Sequence, residues 1–387
     1  MSIIIYQGLA VDPTKGGISR MSTVYYDILT RAGYEVWYLS AHTKDRIPLE
    51  RQLLLEGYSR DEQRESFRQI VSRYNVELII FQDGCSPYNS CVLPWAKEMD
   101  VKIVTVMHSV LKGMYGIDGH PTLSGIKPQF VKTLLNKCIN VYFMHKYGRL
   151  YREEIRLSDR VIQLSDKFRE EITYFTGWKD FSKFVTISNP LTMVGNYIPQ
   201  SKKQKVVLHV GLMLPAKRQD FLLKIWKIVE KQHNDWTLKI IGDGENRSKL
   251  EKLAKRLGLE NVCFLGYQSP TKYYEEASIF CLTSAYESFG LVLVEAMAYG
   301  CVPMAFNSFE TATDIIDESE NGKLIKPFNL QIYADELMKL MDNDSCRNKL
   351  SVSALDKSKA FDKQKIGEQW IGLVRELLSK SENGKIS

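Results

Sequence analysis

No apolar run in this chain of 387 residues reaches the roughly 18 residues that a membrane span needs. The first residues, Met-Ser-Ile-Ile-Ile-Tyr-Gln-Gly, lack a basic start and carry only a short apolar stretch. They read as a first strand rather than a signal peptide. Cysteine is sparse and unpaired. The seven residues Cys85, Cys91, Cys138, Cys263, Cys281, Cys301 and Cys346 are scattered and form no C-x-x-C pair. That excludes a disulfide framework or zinc ribbon and fits a reducing compartment. Neither half contains G-x-G-x-x-G, which argues against a dehydrogenase. Short-period repeats and low-complexity tracts are also missing. A cytoplasmic location is the expectation.

What is present is ordinary in composition and regular in pattern. Apolar residues make up 44% and charged residues 25% of the chain, as in soluble globular proteins, and the length suggests two domains. Short apolar runs alternate with helical patterns, the signature of parallel α/β sheets. In the first half, strands are predicted at Ile3–Tyr6, Glu35–Leu39, Leu78–Phe81, Ile103–Met107, Val161–Leu164 and Phe184–Ile187, with helices at Ser19–Ala32 and Asp61–Tyr74. Gly113–Gly148 reads as loop plus helix. A second series predicts strands at Val206–Val210, Thr237–Ile241, Val262–Leu265, Ile279–Leu282, Val302–Ala305 and Gly322–Ile325, then a closing amphipathic helix at Gln364–Leu378. The expected division is a Rossmann-like domain over 1–190, a linker over 191–204, a second Rossmann-like domain over 205–362, and a C-terminal helix over 363–387. Ligands of such sheets bind beyond the carboxyl ends of the strands.

Four places at predicted strand ends could carry chemistry. Gly16-Gly17 lies between the first strand and first helix, where paired glycines let a backbone approach a phosphate. Alone, such a pair is more often a plain turn. His108 follows the strand Ile103–Met107; a lone histidine is more often structural, but this position favours function. Lys217 and Arg218 are expected to open the helix after the first strand of the second domain, where the helix dipole disfavours cations unless an anion binds. The richest place is Glu287-Ser288-Phe289-Gly290-Leu291 through Glu295. Gly290 permits tight entry into a helix over Leu291–Tyr299, whose first N–H groups suit a diphosphate. Carboxylates such as Glu287 and Glu295 accept hydrogen bonds from vicinal hydroxyls. On their own, two glutamates at this spacing are equally an N-capping group and an exposed helical residue.

The run Glu287 to Gly300 resembles the E-x7-E donor motif of glycosyltransferase family 4, retaining enzymes of the GT-B fold. Other blocks match in order: Gly16-Gly17-Ile18, Ser158-Asp159-Arg160-Val161, Ile187-Ser188-Asn189-Pro190, Ile240-Ile241-Gly242-Asp243-Gly244 and Val262-Cys263-Phe264-Leu265-Gly266. The resemblance is strong over 205–326 and looser before it. It implies an α/β GT-B fold, with two Rossmann-like domains facing across a cleft and a C-terminal helix closing back onto the first. It also implies retaining hexosyl transfer from a nucleotide-diphosphate sugar, a UDP-sugar by family habit, to a glycan or lipid-linked glycan. Bacterial surface polysaccharide synthesis is the expected setting. By the same resemblance Glu287 contacts the donor sugar, with Ser288, Phe289, Gly290 and Leu291 beside sugar and diphosphate. Glu295 holds the ribose, Lys217 neutralises the diphosphate, Gly17 faces it, and His108 lies near the reacting sugar. One departure stands out: Leu212 occupies the place of the family's arginine, and Arg218 is the candidate substitute.

No cofactor or metal is expected. Asp342-Asn343-Asp344 mimics a metal-binding Asp-x-Asp but falls in the helical tail and reads as a loop between helices. A sugar-nucleotide epimerase, or a donor-binding subunit that has lost activity, remain as alternatives. Nucleic acid is not an expected partner. The chain carries a net charge of +6, and residues 101–152 hold eight Lys/Arg against the single Asp118, interleaved with aromatics. Such a segment is either a solvated helical face over core aromatics or a surface for anionic lipid at the inner face of the plasma membrane.

Overall fold

The structure, a computed structural model, describes residues 1–14, 16–43, 46, 49–84, 87–108, 129–193 and 195–383. It divides into two compact units, Met1–Asn189 with Gln364–Ser387, and Pro190–Lys363.

In the first unit, β1 (Ser2–Tyr6), β2 (Glu35–Ser40), β3 (Gln52–Leu54), β4 (Val76–Phe81), β5 (Lys102–Met107), β6 (Arg160–Gln163) and β7 (Phe184–Thr186) form one sheet, ordered β3-β2-β1-β4-β5-β6-β7. Every pairing is parallel. β1 is buried along its whole length, as a strand covered on both faces must be, and Ile4 sits in register with Trp37 and Ile79. Six of these strands lie where the apolar runs predict them, with ends displaced by a residue or two. The short edge strand β3 is an addition. It spans only Gln52–Leu54 and is flanked by Glu50, Arg51 and Glu56, too brief to show a period. Of the segment read as loop plus helix, 113–128 lies outside the described residues, and the rest falls in one helix, Gln129–Leu157.

The helix Lys363–Asn383 completes this first unit. It buries Ile366, Trp370, Leu373, Val374, Leu377 and Leu378, each contributing roughly 1.5–3 kcal/mol of apolar burial. The Trp370 ring lies 4.5 Å from Tyr25. A Cβ on Gly367 would stand only 3.3 Å from Ile28 Cγ2, so this helix packs at close range, as the GT-B expectation requires.

In the second unit, β8 (Gln204–Val210), β9 (Thr237–Ile241), β10 (Val262–Gly266), β11 (Ala277–Leu282), β12 (Val302–Phe306) and β13 (Lys323–Ile325) form a parallel sheet ordered β10-β9-β8-β11-β12-β13. Its core is built on Trp226, Trp236, Leu238, Ile279 and Tyr333. The chain lays strands outward from β8 to β10, then returns to β11 on the other side. Two neighbouring strands thus send their connections in opposite directions, which opens a crevice at their carboxyl ends. In the first sheet β1 and β4 make the same reversal.

Two local readings change. Residues 191–204 read as a linker from their Pro, Ser and Lys content, yet the structure packs them on the second unit. The Gln200 amide donates to the carbonyls of Ser278 at 3.0 Å and Gly300 at 2.8 Å, and a Cβ on Gly195 would meet Ala298 Cβ at 2.7 Å. Such distant partners leave no trace in local composition. Lys217 and Arg218 precede the helix rather than open it: Pro215–Lys217 is a 3-10 turn, Arg218 is left-handed at φ 49°, and the helix runs over Gln219–Val229. Asn343 joins the helices Leu330–Asp342 and Asp344–Ser358, accepting the Cys346 N–H at 2.9 Å. Among the described residues no helix is long and apolar enough to cross a membrane.

The Trp370→Ala variant is expected to cost the first unit about 3–5 kcal/mol. Hydrogen exchange read by mass spectrometry should show faster exchange in residues 1–189 while the sheet β8–β13 keeps its protection.

Candidate functional site

The second unit concentrates polar groups at the β8/β11 reversal. β8 runs into the loop Gly211–Leu214 and the turn Pro215–Lys217; β11 runs into residues 283–290. The two connections are tied together, Ala285 N–H donating to the Ala216 carbonyl at 2.8 Å and Thr283 Oγ1 to that of Arg218 at 3.1 Å. Across this seam Lys217 Nζ lies 2.7 Å from both carboxylate oxygens of Glu287. Ser284 Oγ donates to Glu287 Oε1 at 2.6 Å. The Glu287 side chain is 10% exposed and that of Lys217 25%, so the pair is largely withdrawn from water yet reachable. Loss of either partner leaves a poorly solvated charge.

The backbone then turns at Gly290, at φ 87°, into the helix Leu291–Ala298. A residue with a side chain would be strained there. Ser288 is half-buried and Phe289 buried, the Phe289 carbonyl accepting from Thr311 Oγ1 at 2.8 Å. The first N–H groups of the helix have no acceptor within it. Beneath the loops lies a support that the sequence reading missed. His209 Nδ1–H donates to the Cys281 carbonyl at 2.9 Å, and the Gln219 amide lies 3.3 Å from its Nε2. Burial drops the His209 pKa to about 4, so the ring is neutral. The same Gln219 amide donates to the Leu212 carbonyl at 2.9 Å.

Not every expected group joins Lys217 and Glu287. Glu295 is 1% exposed, and its oxygens accept from Thr192 Oγ1 at 3.0 Å and Tyr274 Oη at 3.1 Å. Arg218 turns to Asp220, at 2.9 and 3.1 Å, and its guanidinium lies 3.3 Å over the Phe221 ring. Leu212 is 48% exposed.

The first unit has its own cluster at the β1/β4 reversal. Gly16, at φ 125°, leads into the helix Gly17–Arg31, and a Cβ added at Gly16 or Gly17 would meet no atom within 4 Å. Gln7 bonds Ser19 at 3.0 Å and Ser22 at 3.3 Å, and Arg46 Nη1 donates to Ser19 Oγ at 2.8 Å and the Ala10 carbonyl at 3.0 Å. Gly8 N–H donates to Asp83 Oδ2 at 2.6 Å. Burial raises the Asp83 carboxyl from 3.8 to about 6, against the opposing pull of Gly8 N–H and Arg46. His108 is 3% exposed; its Nε2–H donates to Gln82 Oε1 at 2.7 Å, and burial lowers its pKa to about 4. Gln7, Gln82 and Asp83 went unread, although Gln7 and Gln82 each directly follow an apolar run and Asp83 comes next after Gln82, in Tyr-Gln-Gly and Phe-Gln-Asp-Gly.

With these arrangements in view, residues 197–356 match the family model of the glycosyl transferases group 1. An Anabaena protein solved with UDP and glucose superposes with a TM-score of 0.74 at 17% identity, over 97% of this chain and all of its own. The fold is GT-B. An uncharacterized glycosyltransferase of Haemophilus influenzae is 32% identical over 56% of this chain and 61% of its own length. The poly(ribitol-phosphate) alpha-N-acetylglucosaminyltransferase of Staphylococcus aureus is 30% identical over 50% of this chain and 40% of its own. The chain therefore matches less than two thirds of either relative.

The raised Asp83 pKa sets a pH signature. Between pH 4 and 6 the folded protein holds a proton there that the unfolded chain has released, so stability falls as pH rises through this window. Asp83→Asn removes the effect. Its melting temperature, relative to wild type, is expected to climb from pH 4 to 6 and then level off.

Proposed function

We propose that the protein is a retaining glycosyltransferase of the family 4 kind. It would move a hexose-type sugar from a UDP-sugar to a hydroxyl of a glycan or lipid-linked glycan in bacterial surface polysaccharide synthesis. The observation that carries this reading is Lys217 on Glu287 at the β8/β11 reversal, beside a helix entered through Gly290. The match over 197–356 and the names of the relatives support it. The protein is read as cytoplasmic, peripheral at the inner face of the plasma membrane.

In this reading the donor reorganises the ion pair. A diphosphate draws Lys217 from Glu287, and the carboxylate, still held by Ser284, accepts hydrogen bonds from sugar hydroxyls. The helix N-terminus at Gly290 and Leu291 faces developing charge on the leaving diphosphate, beside Ser288 and Phe289. Preorganised donors of this kind stabilise a departing anion, and with Lys217 they supply what a metal supplies in other transferases. The anomeric C–O bond breaks to an oxocarbenium-like state. The acceptor oxygen attacks from the same face, and a phosphate oxygen takes its proton. Glu295 reaches a ribose once Thr192 and Tyr274 yield their hydrogen bonds. Gly16-Gly17 leaves its backbone open to a phosphate. The burial of His108 favours a supporting role, holding Gln82 at the end of β4, over contact with the sugar.

A second reading, a donor-binding subunit of weak activity, draws on Leu212 and Arg218. The family's arginine is absent, and Arg218 is engaged with Asp220 and Phe221.

Turnover of radiolabelled UDP-sugars is the decisive measurement. Wild type should transfer with the donor's anomeric configuration kept, read by NMR, and without loss on EDTA. Glu287→Ala should lose at least about 100-fold, the order seen when a group stabilising the transition state is removed. An inverted product would reject the family 4 mechanism. Leu212→Arg should tighten UDP-sugar binding about tenfold in calorimetry, as a charged hydrogen bond to phosphate allows. Unchanged affinity there would favour the second reading.

A further inference from the structure

The helix Gln129–Leu157 carries a surface that the donor chemistry does not use. Phe130 is 72% exposed, Leu134 61%, Val141 65% and Tyr142 59%. Lys137 and Arg149 are exposed as well. At 100° per residue these six positions fall within an arc of roughly 140°, and at 1.5 Å per residue they extend about 28 Å along the helix. Further on, Tyr151 is 2% exposed and Ile155 fully buried, so the C-terminal turns anchor the helix in the first unit while the earlier turns present this face to solvent.

The charge pattern selects the occupant. From Gln129 to Arg152 the sequence holds five Lys/Arg and no Asp or Glu, whereas the chain as a whole has 46 acidic residues among 387. The cores of protein interfaces are poor in charge and especially in Lys. A helix lying in a bilayer interface instead combines inserted Phe and Leu with Lys and Arg at the phosphates. We infer that this face docks the protein on an anionic lipid bilayer, with Phe130, Leu134, Val141 and Tyr142 entering the headgroup boundary and Lys137 and Arg149 meeting lipid phosphates. The inference deepens the proposed function, naming the partner surface for a lipid-linked acceptor, but its test requires no glycosyl transfer.

The test is co-sedimentation of the full chain with phosphatidylglycerol vesicles and with phosphatidylcholine vesicles. Binding is expected to the first and at least tenfold weaker to the second, weakening further as salt rises. Phe130→Ser/Leu134→Ser/Val141→Ser should abolish binding at a melting temperature within a few degrees of wild type. Lys137→Glu/Arg149→Glu should weaken it about 25-fold or more, since each cation near an anionic surface is worth about fivefold. Failure of wild type to bind either vesicle would overturn the inference. So would unaltered binding of the triple-serine variant, or a lipid-free dimer in light scattering that this variant abolishes, which would make the face a self-association surface. Turnover of UDP-sugar onto a soluble acceptor, measured in parallel, stays with wild type whichever way the vesicles decide, separating this inference from the catalytic reading.

Discussion

The ion pair of Lys217 and Glu287 is the constraint around which the second unit is arranged. Both groups give up most of their hydration, so the pair persists only if its geometry is good and its remaining valences are met. The structure meets those terms with two oxygens at 2.7 Å from one ammonium and a serine hydroxyl on the carboxylate. The sheet order makes this possible, since only the reversal between β8 and β11 brings two connections to one crevice. Gly290 and the left-handed Arg218 are local consequences. Each lets the chain turn sharply from loop to helix so that the seam stays short.

Much of this was legible because parallel sheets write themselves plainly into sequence. A strand covered on both faces is a continuous apolar run, and all but one of the strands were located that way. β3 escaped because three residues at a charged edge carry no pattern. The glycine-started helix was also visible, from Gly290, and an ordered resemblance singled out Glu287, which the structure places on Lys217. Long-range partners were not. Nothing in the residues around Glu295 signals that Thr192 and Tyr274 will occupy its oxygens, and nothing near Arg218 distinguishes a phosphate ligand from a cation folded over Phe221. The stretch 191–204 failed for the same reason, because its Gln200 finds acceptors that only the fold brings near.

The first unit repeats the design with different chemistry. At its own reversal the strand ends carry amides and one carboxylate in place of an ion pair, and these hold Gly8, Ser19 and Ser22. Gln7, Arg46 and Asp83 each bridge segments distant in sequence. Gly8, Ala10 and Ser19 are thus held by distant partners, while a Cβ at Gly16 or Gly17 would face open space.

The chain passes from one unit to the other at Asn189–Pro190 and back at Lys363–Gln364. Of the two units, the first is thus started earlier on the ribosome and finished later. Until residues 364–378 emerge, Tyr25 and Ile28 lack Trp370 and the Gly367 backbone against which they pack. The second unit, continuous in sequence, has all its strands by then. Nascent chains would carry a folded second unit beside an N-terminal sheet still missing part of its cover. For that interval the apolar groups under the absent helix are a natural target for chaperones that recognise exposed hydrophobic surface.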